Sequence, residues 1–196
     1  FHVMYHAVHN FCTVDLSATY LDILKDRLYT ETADSRLRRS AQTAMYEILD
    51  SLVRIMAPFI CFTAEEVWQA MPVVEGKETS VHLADWPVMK PQYLDNALAE
   101  KWNARLALRS DVMKALENAR ADKVIGHPLD ADVTIYAEGD AYETLKDMGD
   151  FLSDFFIVSN VELVNDTSAA PADALTNEDG VRVSVAPSTR QKCERC

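Results

Sequence analysis

The sequence predicts a mainly α fold, an antiparallel helical bundle followed by a small α/β (α+β) unit. Apolar residues recur at spacings of three and four through most of the first ninety positions, the mark of amphipathic helices with short connections. After residue 130 the pattern switches to alternation, in "ADVTIYA" and "GVRVSVA", which suits half-buried strands. Only five glycines and seven prolines interrupt 196 residues that are 48% hydrophobic, enough for one large core or two small ones.

The opening segment "FHVMYHAVHNF" places Val3, Ala7 and Phe11 four apart. A second helix is expected to begin near Asp15 or Ser17, both good N-cap residues, and to carry Leu16, Tyr20, Ile23, Leu24 and Leu28 on one stripe. A third starts at "TADS" and runs through Leu37, Ala41, Met45, Ile48, Leu52 and Ile55, until Pro58 ends it. The fourth opens with "TAEE", where Thr63 and Glu66 would form a capping box, and stops at Pro72.

"PVVEGKETS" then reads as a turn and "VHLADWP" as a short extended piece. A long helix is expected over about 95–122, capped by Asp95, with Leu98, Trp102, Leu106, Val112 or Met113, Leu116 and Ala119 on one face. "ADVTIYA" follows as a strand, "DAYETLKDMGDFL" as helix, "FFIVSNVELV" as a strong strand and "GVRVSVA" as another, about three strands in all. The acidic, small-residue stretch "NDTSAAPADALTNED" between the last two reads as a mobile loop. This places a helical-bundle domain at 1–92 and a long helix with a small α/β domain at 93–187.

The formal net charge of −12 argues on its own against a nucleic-acid partner, since counterion release needs a basic surface. Its distribution weakens that objection. Residues 25–39 hold five basic groups against three acidic ones, and residues 101–123 hold six against three. Residues 140–179 hold ten acidic groups and one basic one, Lys146, so most of the acidity is confined there. No apolar run approaches the roughly 18–20 residues that cross a bilayer, so no membrane partner is expected. Cys12 and Cys61 stand alone among apolar neighbours and read as buried free thiols in a reducing compartment.

The chain contains no glycine-rich phosphate loop, no Gly-x-Ser-x-Gly and no His-Glu-x-x-His. His2, His6 and His9 are spaced for one helical face, but no carboxylate or Cys accompanies them there, and aromatic neighbours favour packing or capping over zinc. No catalytic group is assigned.

Two clusters carry more. Lys25 and Arg27 flank Asp26 at the end of the second helix, where cations suit the macrodipole. Arg36, Arg38 and Arg39 fall in the first turns of the third helix, where the macrodipole disfavours them. A short loop joins the clusters, so they must be close in space. Spacing alone leaves two readings open: a ridge that grips phosphates bidentately, or an internal ion-pair network.

Cys193 and Cys196 form a Cys-x₂-Cys pair, half of a tetrahedral thiolate site with no second half, and therefore an incomplete metal half-site expected to be metal-free or disordered. The chain also begins on Phe1, already in an apolar pattern. Both ends are expected to be cuts in a longer protein.

The strings "YHAVHNFCTVDLSATYLDILKDRLYT", "DSRLRRSAQTAMYEILDSLVRIMAPFICFTAEEVWQAMP" and "SVHLADWP" closely resemble the anticodon-binding domain of isoleucyl-tRNA synthetases, class I enzymes. "FFIVSNVEL" and "VRVSVAPSTRQKCERC" resemble the region that follows that bundle in bacterial-type members and leads into a zinc knuckle, of which residues 188–196 would be the truncated start. The resemblance spans almost the whole chain. It implies a cytoplasmic monomer whose parent ligates isoleucine to its tRNA using ATP and magnesium and holds zinc, while this part carries no cofactor and neither the catalytic nor the editing site.

The role implied for residues 1–196 is to bind the anticodon stem and loop of isoleucine tRNA. Lys25, Arg27, Arg36, Arg38 and Arg39 would form the basic corner, with Lys25, Arg27 and Arg39 on the RNA backbone. Arg190 and Lys192 would reach the anticodon or its flank, and Trp68 and Trp86 would serve as core or seam residues. The alternative is a helical protein-interaction module without RNA binding.

Overall fold

In the computed structural model, which describes residues 1–191, α1 (His2–Asn10) passes without interruption into a π-helical stretch (Phe11–Leu21) and then α2 (Asp22–Tyr29). The break expected near Asp15 or Ser17 does not occur. The backbone stays right-handed helical at Asn10 (φ −60, ψ −47) and Asp22 (φ −64, ψ −47), so no residue there is free to act as a cap. The hydroxyls in this region bond back within the helix, Thr13 Oγ1 donating to the His9 carbonyl at 2.8 Å and Thr19 Oγ1 to that of Val14 at 3.0 Å.

Packing divides the chain into two compact units, Leu24–Leu94 and the combination of Phe1–Ile23 with the chain from Asp95 onward. The sequence reading placed residues 1–23 with the first domain. Ile23 instead joins the apolar core of the later unit.

In unit Leu24–Leu94, α3 (Arg36–Met56) and α4 (Cys61–Ala70) enclose a core of Val53, Ala57, Ala64, Trp68, Met71 and Val81. Most of the predicted α3 stripe is only half-buried, and Leu37 is exposed. The capping box at Thr63 and Glu66 does not form. The chain turns at Pro58–Ile60 and re-enters a helix at once, Ile60 N donating to Met56 O at 3.0 Å and Ala64 N to Ile60 O at 2.8 Å. Thr63 therefore already lies inside α4. Cys61, its first residue, is exposed and Cys12 is half-buried, so neither free thiol is buried as expected.

Glu65 explains why "VHLADWP" is not extended. Its carboxylate accepts from Ser80 Oγ at 2.8 Å and from the Val81 amide at 3.0 Å, pinning a 3₁₀ turn at Val81–Leu83. The indole Nε1 of Trp68 donates to the Glu78 carbonyl at 2.9 Å, and the Lys77 ammonium caps the carbonyls of Trp68 and Met71 at 2.7 and 2.9 Å.

The second unit is built on α5 (Asn96–Ala121), whose N-cap Asp95 accepts from the Leu98 amide at 2.9 Å, as predicted. Its buried residues are Arg105, Leu108, Arg109, Val112, Ala115, Leu116 and Ala119, while Leu98 and Leu106 are exposed. Two arginines thus occupy core-facing positions that an apolar pattern could not reveal.

A four-stranded sheet has the order β2-β1-β4-β3, from β1 (Ala131–Tyr136), β2 (Asn160–Val164), β3 (Leu175–Thr176) and β4 (Arg182–Pro187). β1 runs parallel to β2, with Val133 opposite Val161 and Ile135 opposite Leu163. β4 is antiparallel to both β1 and β3. Strict alternation in β1 buries Ala131, Val133 and Ile135 on one face. The β1–β2 crossover contains α6 (Gly139–Lys146) and α7 (Phe151–Phe156), two helices where one was expected.

The predicted strand "FFIVSNVELV" is half wrong for a local reason. Phe155 and Phe156 complete α7 with 0% exposure, and Ile157 then turns into the left-handed region at φ 57, so the strand begins only at Asn160. The supposed loop 165–179 also contributes, through β3 and an Asn177 amide that donates to the Asp111 carboxylate at 2.6 Å.

Arg109 Nε donates to the Phe155 carbonyl at 2.8 Å, and burial lowers the pKa of its guanidinium, partly offset by the charge of Asp22. Arg105 pairs with Asp147 at 2.6 Å and stacks on Trp102 with its guanidinium 5.0 Å from the ring centre. Lys101 reaches the same Asp147 oxygen at 2.5 Å. The Lys101 hydrogen bond and charge hold the Asp147 carboxyl below the usual aspartate range, with Arg105 adding to them.

A depressed carboxyl stabilises the fold above the ordinary aspartate value of about 3.9, and the benefit is lost as pH falls through the lower folded value. Thermal melts from neutral pH to about pH 3 are therefore expected to show Asp147→Asn less acid-sensitive than the parent. Equal acid sensitivity would contradict the pairing.

Candidate nucleic-acid interface

The two basic clusters meet where α2 ends and α3 begins, and all five cations lie in unit Leu24–Leu94. The connection is ordered by its own bonds. Thr30 donates to the Asp26 carbonyl from both its amide (2.8 Å) and its hydroxyl (2.7 Å), and Ser35 N donates to Thr32 O at 3.1 Å. Arg38 Nη1 donates to the Glu31 carbonyl at 2.9 Å, stapling the start of α3 to the loop.

The five side chains are not equivalent. Lys25, Arg36 and Arg39 are exposed, whereas Arg27 and Arg38 are half-buried. Arg36, Arg38 and Arg39 enter no salt bridge among the described residues; Arg39 Nη1 makes a neutral contact with Gln42 Oε1 at 3.3 Å. The internal-network reading therefore fails for these three.

Ser35 is the N-cap of α3, yet its side chain does not cap. The helix thus opens with uncapped amides and the positive end of its dipole beside exposed arginines. Such an arrangement suits an anion. Asp34, held below the usual carboxylate range mainly by the Thr32 hydroxyl, is the nearest acidic counterweight in the loop.

The other predicted residues lie elsewhere. Arg190 belongs to the second unit, where its guanidinium donates to Ser159 O at 3.3 Å and Asn160 Oδ1 at 2.8 Å. Lys192, Cys193 and Cys196 lie outside the described residues. Trp68 is buried at 4% exposure and belongs to the core as expected, but Trp86 is 59% exposed and does not. Tyr5 sits against the rings of His6 and His9 at 5.3 and 5.5 Å, which occupies the histidine face with aromatic packing. Among the described residues no group of three His, Cys, Asp or Glu could hold a metal ion, and no helix is long and apolar enough to cross a membrane.

A cleft of about 350 Å³ in unit Leu24–Leu94 is lined by Tyr46, Glu47, Asp50, Arg54, Lys77 and Lys90 among others. Its cations are already engaged: Arg54 with Asp50, Lys90 with Glu47 and Lys77 with backbone carbonyls. The Tyr46 phenol is raised above its ordinary value by burial and by Asp50, which makes it a poorer general acid or base near neutrality. The cleft therefore lacks the free nucleophile and matched base of a reaction centre.

Sequence reasoning missed two features. The uncapped start of α3 was hidden because Ser35 has the right chemistry for a cap and does not use it. The second is Tyr29, the last residue of α2, which is 77% exposed and four residues after Lys25.

Comparison with known proteins identifies the family. Residues 1–135 match the family described as the anticodon-binding domain of tRNA ligase. The whole chain aligns with the isoleucine–tRNA ligases of Syntrophotalea carbinolica at 51% identity, Desulforamulus reducens at 50% and Moorella thermoacetica at 48%. It spans 21% of the length of each of these relatives. With the match covering more than half of its residues, the chain belongs to the family of anticodon-binding domains of tRNA ligases.

Proposed function

We propose that residues 1–196 are the tRNA-holding part of a longer isoleucine–tRNA ligase. The observation that carries this reading is the α2–α3 corner, where exposed Lys25, Arg36 and Arg39 stand beside an uncapped helix start. RNA phosphates would be gripped there electrostatically, with Arg27 and Arg38 adding charge behind them. Holding the anticodon end orients the distant acceptor end, which supplies rate by positioning rather than by bond chemistry.

In the same reading, amino-acid activation with ATP and magnesium belongs to residues outside this chain. Cys193 and Cys196 supply two of the four thiolates of a zinc knuckle, with Arg190 and Lys192 beside it. The protein acts as a cytoplasmic monomer.

The test is a titration of the 196-residue chain with isoleucine tRNA at about 50 and 200 mM salt. The expected result is binding at low salt that weakens by 10-fold or more at high salt, as for several phosphate contacts. No binding at low salt would favour the protein-interaction module instead.

A further inference from the structure

We propose that Tyr29 is a stacking platform for an unpaired nucleobase, so that the α2–α3 corner holds RNA at a single-stranded loop and not along a duplex alone. The inference rests on the RNA-binding reading above and names the part of the RNA that the corner meets.

Tyr29 is the last residue of α2, and its ring is 77% exposed. Two other exposed tyrosines have local partners: Tyr5 lies against two histidines, and Tyr93 lies under the Lys90 ammonium at 5.5 Å. The Tyr29 side chain has no hydrogen bond or ring contact among the described residues, so its face is open to a partner.

Its surroundings identify what could cover it. Lys25 precedes it by four residues, so on an α-helix both project from the same face, with Cβ atoms about 5–6 Å apart. On its other side, Thr30 is fixed to Asp26 O and Arg38 Nη1 holds the Glu31 carbonyl. The backbone following Tyr29 is therefore anchored, and a short ordered loop links it to the arginine-bearing start of α3. An exposed aromatic ring in a basic corner matches a base whose own phosphates those cations can bind. Stacking of this kind tolerates any base and is the usual way single strands are held. A duplex keeps its bases stacked on one another and offers no free face.

The experiment compares two RNAs of equal nucleotide number: a hairpin with 2-aminopurine in its unpaired loop, and a blunt, fully paired duplex. The proteins are the parent, Tyr29→Ala, Tyr29→Phe and the double variant Arg36→Ala/Arg39→Ala. An exposed tyrosine can be truncated without unfolding the chain. Tyr29→Ala is expected to weaken hairpin binding by roughly 10-fold or more and duplex binding by less than about twofold, and to abolish the stacking-induced change in 2-aminopurine fluorescence. Tyr29→Phe keeps the ring and is expected to restore both readouts.

If Tyr29→Ala binds the hairpin like the parent while the arginine variant loses affinity, the platform is wrong and the RNA-binding corner stands. Equal weakening of hairpin and duplex by Tyr29→Ala, or failure of Tyr29→Phe to rescue, also overturns the platform. If neither variant changes binding at low salt, the corner itself is not the RNA site.

Discussion

Replacing Lys25, Arg36 and Arg39 together by alanine is expected to lower RNA affinity by roughly 10²–10³-fold near 50 mM salt and to reduce the slope of log K against log salt by about 2–3. The magnitude follows from counterion release, in which each lost phosphate contact removes about 0.7–0.9 from the slope. All three side chains are exposed, so the melting temperature should barely move. Arg38→Ala should behave differently. Its guanidinium staples the loop through Glu31 O, so the change would loosen the connection as well as remove charge. Should the triple variant bind with unchanged affinity and slope, the corner would not contact phosphate.

The largest effect on stability is expected at Phe155→Ala, about 3–5 kcal/mol in denaturant unfolding of the parent against the variant. The side chain has no exposure, and its ring lies 5.0 Å from that of Phe156, 6.0 Å from that of Trp102 and 6.2 Å from that of Phe151. The Arg109 guanidinium lies 5.8 Å from the same ring. Truncation would leave a cavity lined by aromatic faces and by a buried charge that has lost its π partner, although Arg109 Nε keeps its bond to the backbone carbonyl. A loss below about 1 kcal/mol would mean that the core collapses around the gap and is not organised by this ring.

How much of this could be seen in the sequence depended on whether local chemistry or tertiary context decided each element. The Asp95 cap, the stop at Pro58 and the alternation of β1 follow from neighbouring residues and were legible. The join between α1 and α2 was not, because Asp15 and Ser17 are good caps that a helix can also absorb. Ile157 in a left-handed turn goes against the preference of a β-branched residue, so "FFIVSNVELV" looked like one strand. Arg105 and Arg109 were invisible as core residues because their burial depends on Asp147 and on the carbonyl and ring of Phe155, all distant in sequence.

The candidate site shows the same division. Its charges were legible from "KDRLY" and "DSRLRRS", and so was their closeness, since a short loop must join them. Which cations remain available was not. Only the folded structure separates exposed Arg36 and Arg39 from the stapling Arg38, or shows that Ser35 leaves the helix start uncapped. Trp86, read as a core or seam residue, is 59% exposed and joins neither apolar core.

The central claim is that RNA is held at the α2–α3 corner. It is tested most directly by NMR of the arginine Nε–Hε and backbone amide signals of the chain as isoleucine tRNA is added. The account predicts that perturbations concentrate on residues 25–39, with Arg36 and Arg39 foremost. Perturbations confined to the acidic stretch 140–179, or binding that leaves residues 25–39 unshifted, would contradict it.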